Sequence, residues 1–182
     1  SRKKYFKLYD FAPTGYLTIS SKGEILDINL KGASLLNIET GPAAKYNIKT
    51  AVSPASMVDF ENFISEVFGQ KTHSKCEIAL KPLKGRTTYV FLQGALTDEG
   101  DSCLVSMADI TDRREAQMAL QESEELYHSL LKTSPDGIII TDLNCQITEA
   151  SIIATEILGV NDQKLEGTHL TDYIPRNSRR AL

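Results

Sequence analysis

An ungapped internal repeat constrains the fold of this 182-residue sequence more than any other feature. Residues 5–52 align with residues 127–174 at a constant shift of 122 positions, with six identities and matched apolar residues between them. Because turn residues meet turn residues and core positions meet core positions, the sequence predicts two copies of one domain. The identical pairs are Tyr5 and Tyr127, Leu8 and Leu130, Pro13 and Pro135, Gly15 and Gly137, Ile25 and Ile147, and Leu36 and Leu158.

Each copy opens with the residues of a turn, two short strands and a short helix. Proline followed two residues later by glycine is typical of a turn. Asn29 and Ser151 are suitable N-caps for the helices that follow. The strands are predicted at residues 16–20 and around Ile25 in the first copy, and at residues 138–142 and around Ile147 in the second.

Only the first copy continues into a complete domain. Ser53 and Pro54 predict the start of a longer helix, and Gly69 predicts its C-terminal cap. The sequence therefore predicts an α+β fold, in which a five-stranded antiparallel sheet carries helices on one face. The three remaining strands are expected at residues 75–80, 88–96 and 103–108.

The second copy stops before its long helix and its last three strands. An isolated two-stranded hairpin is marginally stable in water. We therefore expect Ile138, Ile140 and Ile147 to be exposed, and this half to be poorly ordered unless a second chain covers it.

Three short motifs resemble those of the PAS family. They are Pro-Thr-Gly-Tyr at residues 13–16, Ile-Leu-Asp-Ile-Asn at residues 25–29 and Asp-Ile-Thr-Asp-Arg at residues 109–113. The order of the predicted elements also agrees with that family. The resemblance is to the tandem PAS sensor modules of bacterial and archaeal sensor histidine kinases. In the second copy, Ser151 replaces the asparagine that the family places at the end of its second strand.

The resemblance also implies how the chain is divided and used. It implies a complete PAS domain at residues 1–111, a helical connector at residues 112–131 and the N-terminal half of a second PAS domain at residues 132–182. The module would detect a signal or mediate dimerisation, and relay the signal through a helix to an output domain, a histidine kinase of a two-component system. The alternatives are a ligand-free dimerisation scaffold, or the input module of a diguanylate cyclase or a transcription regulator. Catalytic residues are not recognised in the sequence, so kinase activity is expected only in a larger parent protein.

The connector is expected to transmit the signal. From Ala116 onward, apolar and small residues recur at alternating steps of four and three, which predicts either a weak parallel coiled coil or a helix packed on its own domains. The family resemblance favours the coiled coil, and therefore a homodimer. Asp112 and Glu115 are interpreted as a capping pair. The predicted signal-exit and connector residues are Asp109, Thr111, Asp112, Leu120, Tyr127 and Leu130.

A pocket for a small-molecule ligand is predicted between the long helix and the inward face of the sheet. The alternation of strand residues leaves open whether Tyr89 and Phe91 or Val90 and Leu92 point inward. The competing interpretation is that these side chains simply fill the core. The candidate pocket residues are Phe60, Ile64, Phe68, Ile78, Tyr89, Phe91 and Met107.

The cofactor is unknown, and the patterns of the known PAS cofactor sites do not fit. The resemblance implies a haem-ligating histidine on the long helix, but His73 lies past the predicted end of that helix. It implies a flavin-reactive cysteine on the helical side of the pocket, whereas Cys145 falls in a hairpin turn. His128 lacks both the acidic neighbour and the proline spacing of a phosphoacceptor box. Haem, a photoreactive flavin and a phosphoacceptor histidine are therefore not expected.

Composition argues against several other classes. A net charge of −4 argues against a nucleic-acid partner, which would require a basic surface. Apolar runs fall short of the roughly 20 residues that span a bilayer. The chain is therefore expected to be cytoplasmic and without membrane contact, although a parent protein could be anchored elsewhere. The cysteines, Cys76, Cys103 and Cys145, are widely spaced, which predicts reduced thiols and no metal site.

Overall fold

The computed structural model describes residues 7–39, 46–70, 73–160 and 165–175. These residues form two compact units, the first ending at Ala116 and the second beginning at Gln117. The first unit contains β1 (Gly15–Ser20), β2 (Ile25–Ile28), α1 (Leu30–Leu36), the 3-10 turns Ile48–Thr50 and Pro54–Ser56, α2 (Met57–Gln70), β3 (Ser74–Ala79), β4 (Tyr89–Leu96) and β5 (Ser102–Asp109). Helix α3 (Thr111–Thr133) begins in the first unit and continues into the second, which adds β6 (Ile139–Thr141), β7 (Ile147–Ala150), α4 (Ile152–Ile157) and the 3-10 turn Leu170–Tyr173.

The first unit is built on one antiparallel sheet with the strand order β2-β1-β5-β4-β3. The register places Leu17 opposite Val105 and Leu92 opposite Met107. Because side chains alternate along each strand, one face of the sheet carries these apolar residues and packs against α1 and α2. This arrangement confirms the predicted α+β sheet with helices on one face. The buried core also includes Ile19, Leu36, Ile48, Val52, Phe60, Phe63, Ile64, Val67, Ile78, Leu80, Val90 and Cys103.

Helix α2 begins at Met57, later than the predicted start at Pro54, and it also ends later than predicted. Pro54 opens a 3-10 turn that leads directly into the helix. The helix then continues through Gly69 to Gln70, so the prediction that Gly69 caps it is wrong. A side chain at Gly69 would meet no atom within 4 Å, because this position faces away from the core. The glycine therefore adopts helical geometry without any packing requirement.

The repeat is preserved in the backbone hydrogen bonds of the second unit. Ile147 N donates to Thr168 O at 2.8 Å, which matches the bond from Ile25 N to Tyr46 O at 2.9 Å one repeat earlier. The chain after Leu165 therefore lies along the edge of β7, and Leu165 is itself buried.

This edge segment changes the expected burial of the second copy. Ile147 is only 1% exposed, so the expectation that it would be exposed is wrong. Ile138 and Ile140 are half-buried. The two strands are thus covered on one edge by their own chain. No helix in the described part of the chain is both long and apolar enough to span a membrane.

Candidate functional site

Four of the seven predicted pocket residues lie together in the core of the first unit. Phe60 and Ile64 on α2 face Ile78 on β3 and Met107 on β5, and all four are buried. Phe68 is partly buried and packs against the same cluster. The structure thus brings these five side chains into one apolar layer between α2 and the sheet.

The other two predicted pocket residues lie elsewhere. Val90 and Leu92 are the core-facing residues of β4, and both are fully buried. Tyr89 and Phe91 therefore point to the opposite face, and their placement in the pocket is corrected. Both faces of β4 carry apolar residues, so the alternation in the sequence held no signal to choose between them.

The space between α2 and the sheet is closely filled. The rings of Phe60 and Phe63 lie 6.2 Å apart, and both are buried. Gly94 on β4 leaves room for the Phe63 ring, since a Cβ there would lie 2.5 Å from Phe63 Cζ and 3.0 Å from Cys103 Sγ. The arrangement is that of a packed core, and ligand binding by these residues stays a prediction.

A cavity of about 830 Å³ lies on the opposite face of the same sheet, which the sequence analysis did not consider. Leu8 and Tyr9 form one wall, where the Tyr9 ring stacks on that of Tyr16 with 6.1 Å between centroids. The floor mixes apolar and polar side chains from all five strands. In the sequence, strand positions with mixed apolar and polar residues look like an ordinary solvent-facing surface. For this reason the sequence did not predict a site on this face of the sheet. The polar lining includes Thr18, Asp27, His73, Lys75, Gln93 and Ser106.

Asn29, at the end of β2, connects three segments of the first unit. Its Oδ1 accepts hydrogen bonds from Tyr16 N at 2.8 Å and from Gly32 N at 2.9 Å, so it caps α1 and holds β1. Its Nδ2 donates to Tyr9 O at 2.8 Å and to Thr14 O at 3.0 Å, which are carbonyls of the segment that enters the domain. The side chain is fully buried. All of its donors and acceptors are used, as a buried amide requires.

Ser151 occupies the equivalent position in the second unit. Its Oγ accepts from Ile138 N at 2.9 Å and from Ala154 N at 3.2 Å, which reproduces both acceptor bonds of Asn29. A serine hydroxyl carries one hydrogen, whereas an asparagine amide carries two. Serine in place of asparagine therefore keeps the helix cap, but it does not supply the two hydrogen bonds that Asn29 donates to carbonyls of the entering segment.

The exit from the sheet into α3 is built around Asp109 and Thr111. The Thr111 hydroxyl donates to Asp109 Oδ1 at 2.6 Å, and the same oxygen accepts from Thr111 N at 2.9 Å. Tyr89 N on β4 donates to Thr111 Oγ1 at 3.0 Å. Thr111 is buried. These bonds link the first residue of α3 to two strands, so Asp109 holds the helix N-terminus.

Two groups of ion pairs hold the first turn of α3 against the sheet. Arg86 pairs with Asp112 at 3.1 Å and with Glu115 at 3.2 Å. The hydrogen bonds that Arg86 donates to Glu115, and then to Asp112, raise the pKa of its guanidinium. Asp112 is therefore an ion-pair partner inside the first turn, and its interpretation as a helix cap is wrong because α3 already begins at Thr111.

The second group joins β3 to α3. Glu77 receives a hydrogen bond from Arg113 and forms an ion pair with Arg114, whose Nε lies 3.3 Å from Glu77 Oε2 without hydrogen-bond geometry. The Arg114 guanidinium also lies over the Tyr89 ring, 5.9 Å from its centroid. Glu77 and Arg86 were missed by sequence analysis, since their partners lie 26 to 37 positions away.

The predicted seam of α3 is largely open to solvent. Leu120 is 61% and Leu130 is 57% exposed, and Tyr127 is 37% exposed. Tyr127 contacts Glu149 on β7; partial desolvation and then a hydrogen bond with this carboxylate raise the pKa of the phenol. The seam residues thus lie on one continuous helix, as predicted, and carry apolar surface that the described residues leave uncovered.

Cys76 and Cys103 of the first unit both lie in surroundings that raise the pKa of the thiol. Burial, reinforced by Asp59 and Glu66, raises the pKa of Cys76 to about 12. Burial raises the pKa of Cys103 to about 11. Both thiols therefore stay protonated near neutral pH and are weak nucleophiles. Groups of three or more histidine, cysteine, aspartate or glutamate side chains that would hold a metal are absent from the described ranges.

The first unit is a five-stranded antiparallel sheet with helices on one face. Its last strand passes through a hydrogen-bonded junction into a long helix. This arrangement defines a class of small signalling input domains. The chain belongs to the PAS family. A model described as PAS domain matches residues 13–112, and a model described as PAS fold matches residues 125–182. The second match lies in the second unit, so the two copies of the repeat are tandem PAS domains.

Similar proteins include one kinase and two proteins of known structure. The chain is 24% identical over 168 residues to sporulation kinase E of Bacillus subtilis (strain 168), covering 92% of this chain and 22% of the kinase. It therefore spans about a fifth of the length of that relative. Among solved structures, a sensory box histidine kinase/response regulator from Burkholderia thailandensis E264 is similar, with a TM-score of 0.55, 15% identity, and coverage of 71% of this chain and 100% of that one. The PAS domain of an HTR-like protein from Haloarcula marismortui has a TM-score of 0.50 and 19% identity, covering 60% and 96%.

Proposed function

We propose that this chain is a sensory and transmission module of a larger signalling protein. The first unit receives the signal, α3 carries the resulting change away from the sheet, and an output domain, a histidine kinase, responds. One observation carries the proposal: Asp109, Thr111 and Arg86 attach the first turn of α3 to β4, β5 and the turn before β4. Because Asp109 lies on β5 and Thr111 is bonded to Tyr89 on β4, a small shift of either strand displaces the start of the helix. The similarity to a sporulation kinase supports the nature of the output.

The relay is tested by altering the Thr111 hydroxyl. The chain is fused to a histidine kinase catalytic core, and autophosphorylation is measured for wild type, Thr111→Val and Thr111→Ser. Valine has nearly the same volume but no hydroxyl, so it is expected to change the basal kinase activity. Serine keeps the hydroxyl and is expected to behave as wild type. Equal activity of all three fusions would contradict the relay through this junction.

The proposal includes a homodimer through α3. The apolar side chains at Leu120, Tyr127 and Leu130 are exposed in a single chain, and two parallel helices would bury them against each other. Alanine and serine at two other seam positions keep such a coil weak, which suits a helix pair that changes register.

Cysteine cross-linking tests the dimer. In a background that replaces the native cysteines with alanine, Leu120→Cys and Leu130→Cys are expected to form intermolecular disulfides under mild oxidation. Glu125→Cys, on the opposite side of the predicted coil, serves as the matched control. Cross-linking of all three at the same rate would argue against the seam.

The second candidate function is a ligand-free dimerisation scaffold. The packing of Phe60 against Phe63, and of Phe63 against Gly94, favours it, because this space is where the pocket was predicted. Native mass spectrometry and the absorbance spectrum of the purified chain separate the two candidates. A bound small molecule would support sensing by ligand, whereas bare protein with an intact dimer would support the scaffold.

A further inference from the structure

A helical segment enters each unit: residues 7–10 in the first unit and the end of α3 in the second. The two units hold these segments by different bonds. In the first unit, the Tyr9 hydroxyl donates to Asp27 Oδ2 at 3.0 Å. In the second unit, Tyr127 contacts Glu149, which occupies the position equivalent to Asp27 at the constant shift of 122 residues. The residue equivalent to Tyr9 is Leu131, so the tyrosine of the second unit sits four residues earlier in the repeat. Four residues correspond to about one turn of helix.

The backbone attachments differ as well. Asn29 donates to the carbonyl of Tyr9, which lies in the last turn of the entering helical segment, where carbonyls lack intrahelical partners. Among the described residues, Ser151 makes no hydrogen bond to Leu131 or Asp136, the equivalents of Tyr9 and Thr14. Ser151 therefore does not bind the backbone carbonyls of the entering segment as Asn29 does, and Tyr127 and Glu149 interact through their side chains.

This difference has a mechanical consequence. A buried bidentate amide fixes both the rotation and the position of the helix end, because the carbonyls it binds cannot move without breaking bonds. Tyr127 and Glu149 both have long side chains, and Tyr127 is 37% exposed. Their side chains can therefore stay in contact while the helix moves by small amounts. The end of α3 therefore has more freedom against β7 than residues 7–10 have against β2.

We propose that the contact of Tyr127 with Glu149, together with the substitution of serine for asparagine at position 151, makes the end of α3 the adjustable joint of this module. The first unit keeps its entering helix fixed through Asn29, and the second lets α3 shift against the β6–β7 hairpin. The proposal rests on the function proposed above and specifies where in the relay the movement takes place.

Exchanging the two residues tests the joint directly. In the full chain, Ser151→Asn is expected to slow amide hydrogen exchange of residues 128–136 about tenfold, since it restores donation to two carbonyls. The reverse exchange, Asn29→Ser, is expected to accelerate exchange in residues 9–17 by a similar factor. Unchanged exchange in the folded Ser151→Asn variant would overturn the proposal.

A second variant guards against the case in which the introduced asparagine does not fit. Tyr127→Phe removes only the hydroxyl and is expected to accelerate exchange of residues 128–136 several-fold in the wild-type background. In the Ser151→Asn background its effect should be smaller, because the backbone is then held independently. No effect of Tyr127→Phe in the wild-type background would overturn the role of the tyrosine.

The same variants separate this inference from the proposed function. Exchange rates report the joint without any signal or output domain. If Ser151→Asn slows exchange but leaves the activity of the kinase fusion unchanged, the joint exists and the relay through it is wrong. If exchange is unaffected, the joint is wrong whatever the kinase fusion shows.

Discussion

Gly94 lies against the tip of the Phe63 ring, so closely that a Cβ at this position would come within 2.5 Å of Phe63 Cζ. The ring cannot turn away, because Phe63 is itself buried next to Phe60. This contact explains why a glycine occurs in the middle of β4, where it would otherwise weaken the strand. It also shows that α2 approaches the sheet too closely for a side chain at this point.

Replacing this glycine should therefore destabilise the first unit. We expect Gly94→Ala to lower the free energy of unfolding by about 1–3 kcal/mol, the usual cost of overpacking a core. Gly69→Ala is the matched control, because it adds the same methyl group to an open position in α2. That control should raise stability by about 0.5–1 kcal/mol. Urea denaturation measures both, and equal effects of the two variants would contradict the packing argument.

Asn29→Asp tests the hydrogen bonds of the buried amide. The aspartate keeps the acceptor for Tyr16 N and Gly32 N, but it cannot donate to the carbonyls of Tyr9 and Thr14. We expect a loss of about 2–4 kcal/mol in unfolding free energy, since two buried acceptors lose their donor and face a carboxylate. Asp27→Asn, which keeps an acceptor for the Tyr9 hydroxyl, should have a much smaller effect. A change below about 0.5 kcal/mol in the Asn29 variant would show that the buried amide is dispensable.

Thr111→Val is expected to loosen the start of α3. The variant leaves Tyr89 N without its acceptor and Asp109 without the hydroxyl donor, at a cost of about 1–3 kcal/mol. Exchange of the amides at residues 111–116 should accelerate. Thr111→Ser keeps the hydroxyl and should retain most of the protection. If valine and serine behave alike, the hydroxyl does not hold the junction.

The ion pairs of Arg86 should make the junction sensitive to salt. Arg86→Gln is expected to accelerate amide exchange in residues 112–116 at low salt, and raising the salt concentration should remove the difference from wild type. Lys84→Gln removes one positive charge from the same turn and serves as the control. A salt-independent difference would mean that the Arg86 side chain acts by packing and not by charge.

The thiol of Cys76 should make stability depend on alkaline pH. Its pKa is raised from 9.0 to about 12 in the folded chain, so the folded state holds the proton more tightly than the unfolded state. Its contribution is fully present below about pH 9 and is lost as the pH rises towards about 12. Unfolding free energy should therefore fall more steeply over this range in wild type than in Cys76→Ala. Parallel curves would show that the thiol is not protected by folding.

Much of the architecture was accessible from the sequence. The repeat predicted two equivalent units, and the Asp109-Ile110-Thr111 triplet located the exit into the connector. These features are local: turns, caps and periodicity depend on neighbouring residues, which a sequence displays directly. The errors at Gly69 and Asp112 were shifts of helix ends, where a residue suited to a cap lies one residue inside the helix.

The sequence by itself determined the order of the elements, the antiparallel α+β sheet and the replacement of asparagine by serine in the second copy. Only the tertiary structure decided which face of β4 points to the core, because both of its faces are apolar and sheet register alone selects one. It also decided the pairing of Glu77 and Arg86 with the first turn of α3, since those partners are distant in sequence. Finally, the Asn29 and Ser151 bonds show how one substitution changes the attachment of a helix: an amide has two hydrogens to donate and a hydroxyl has one.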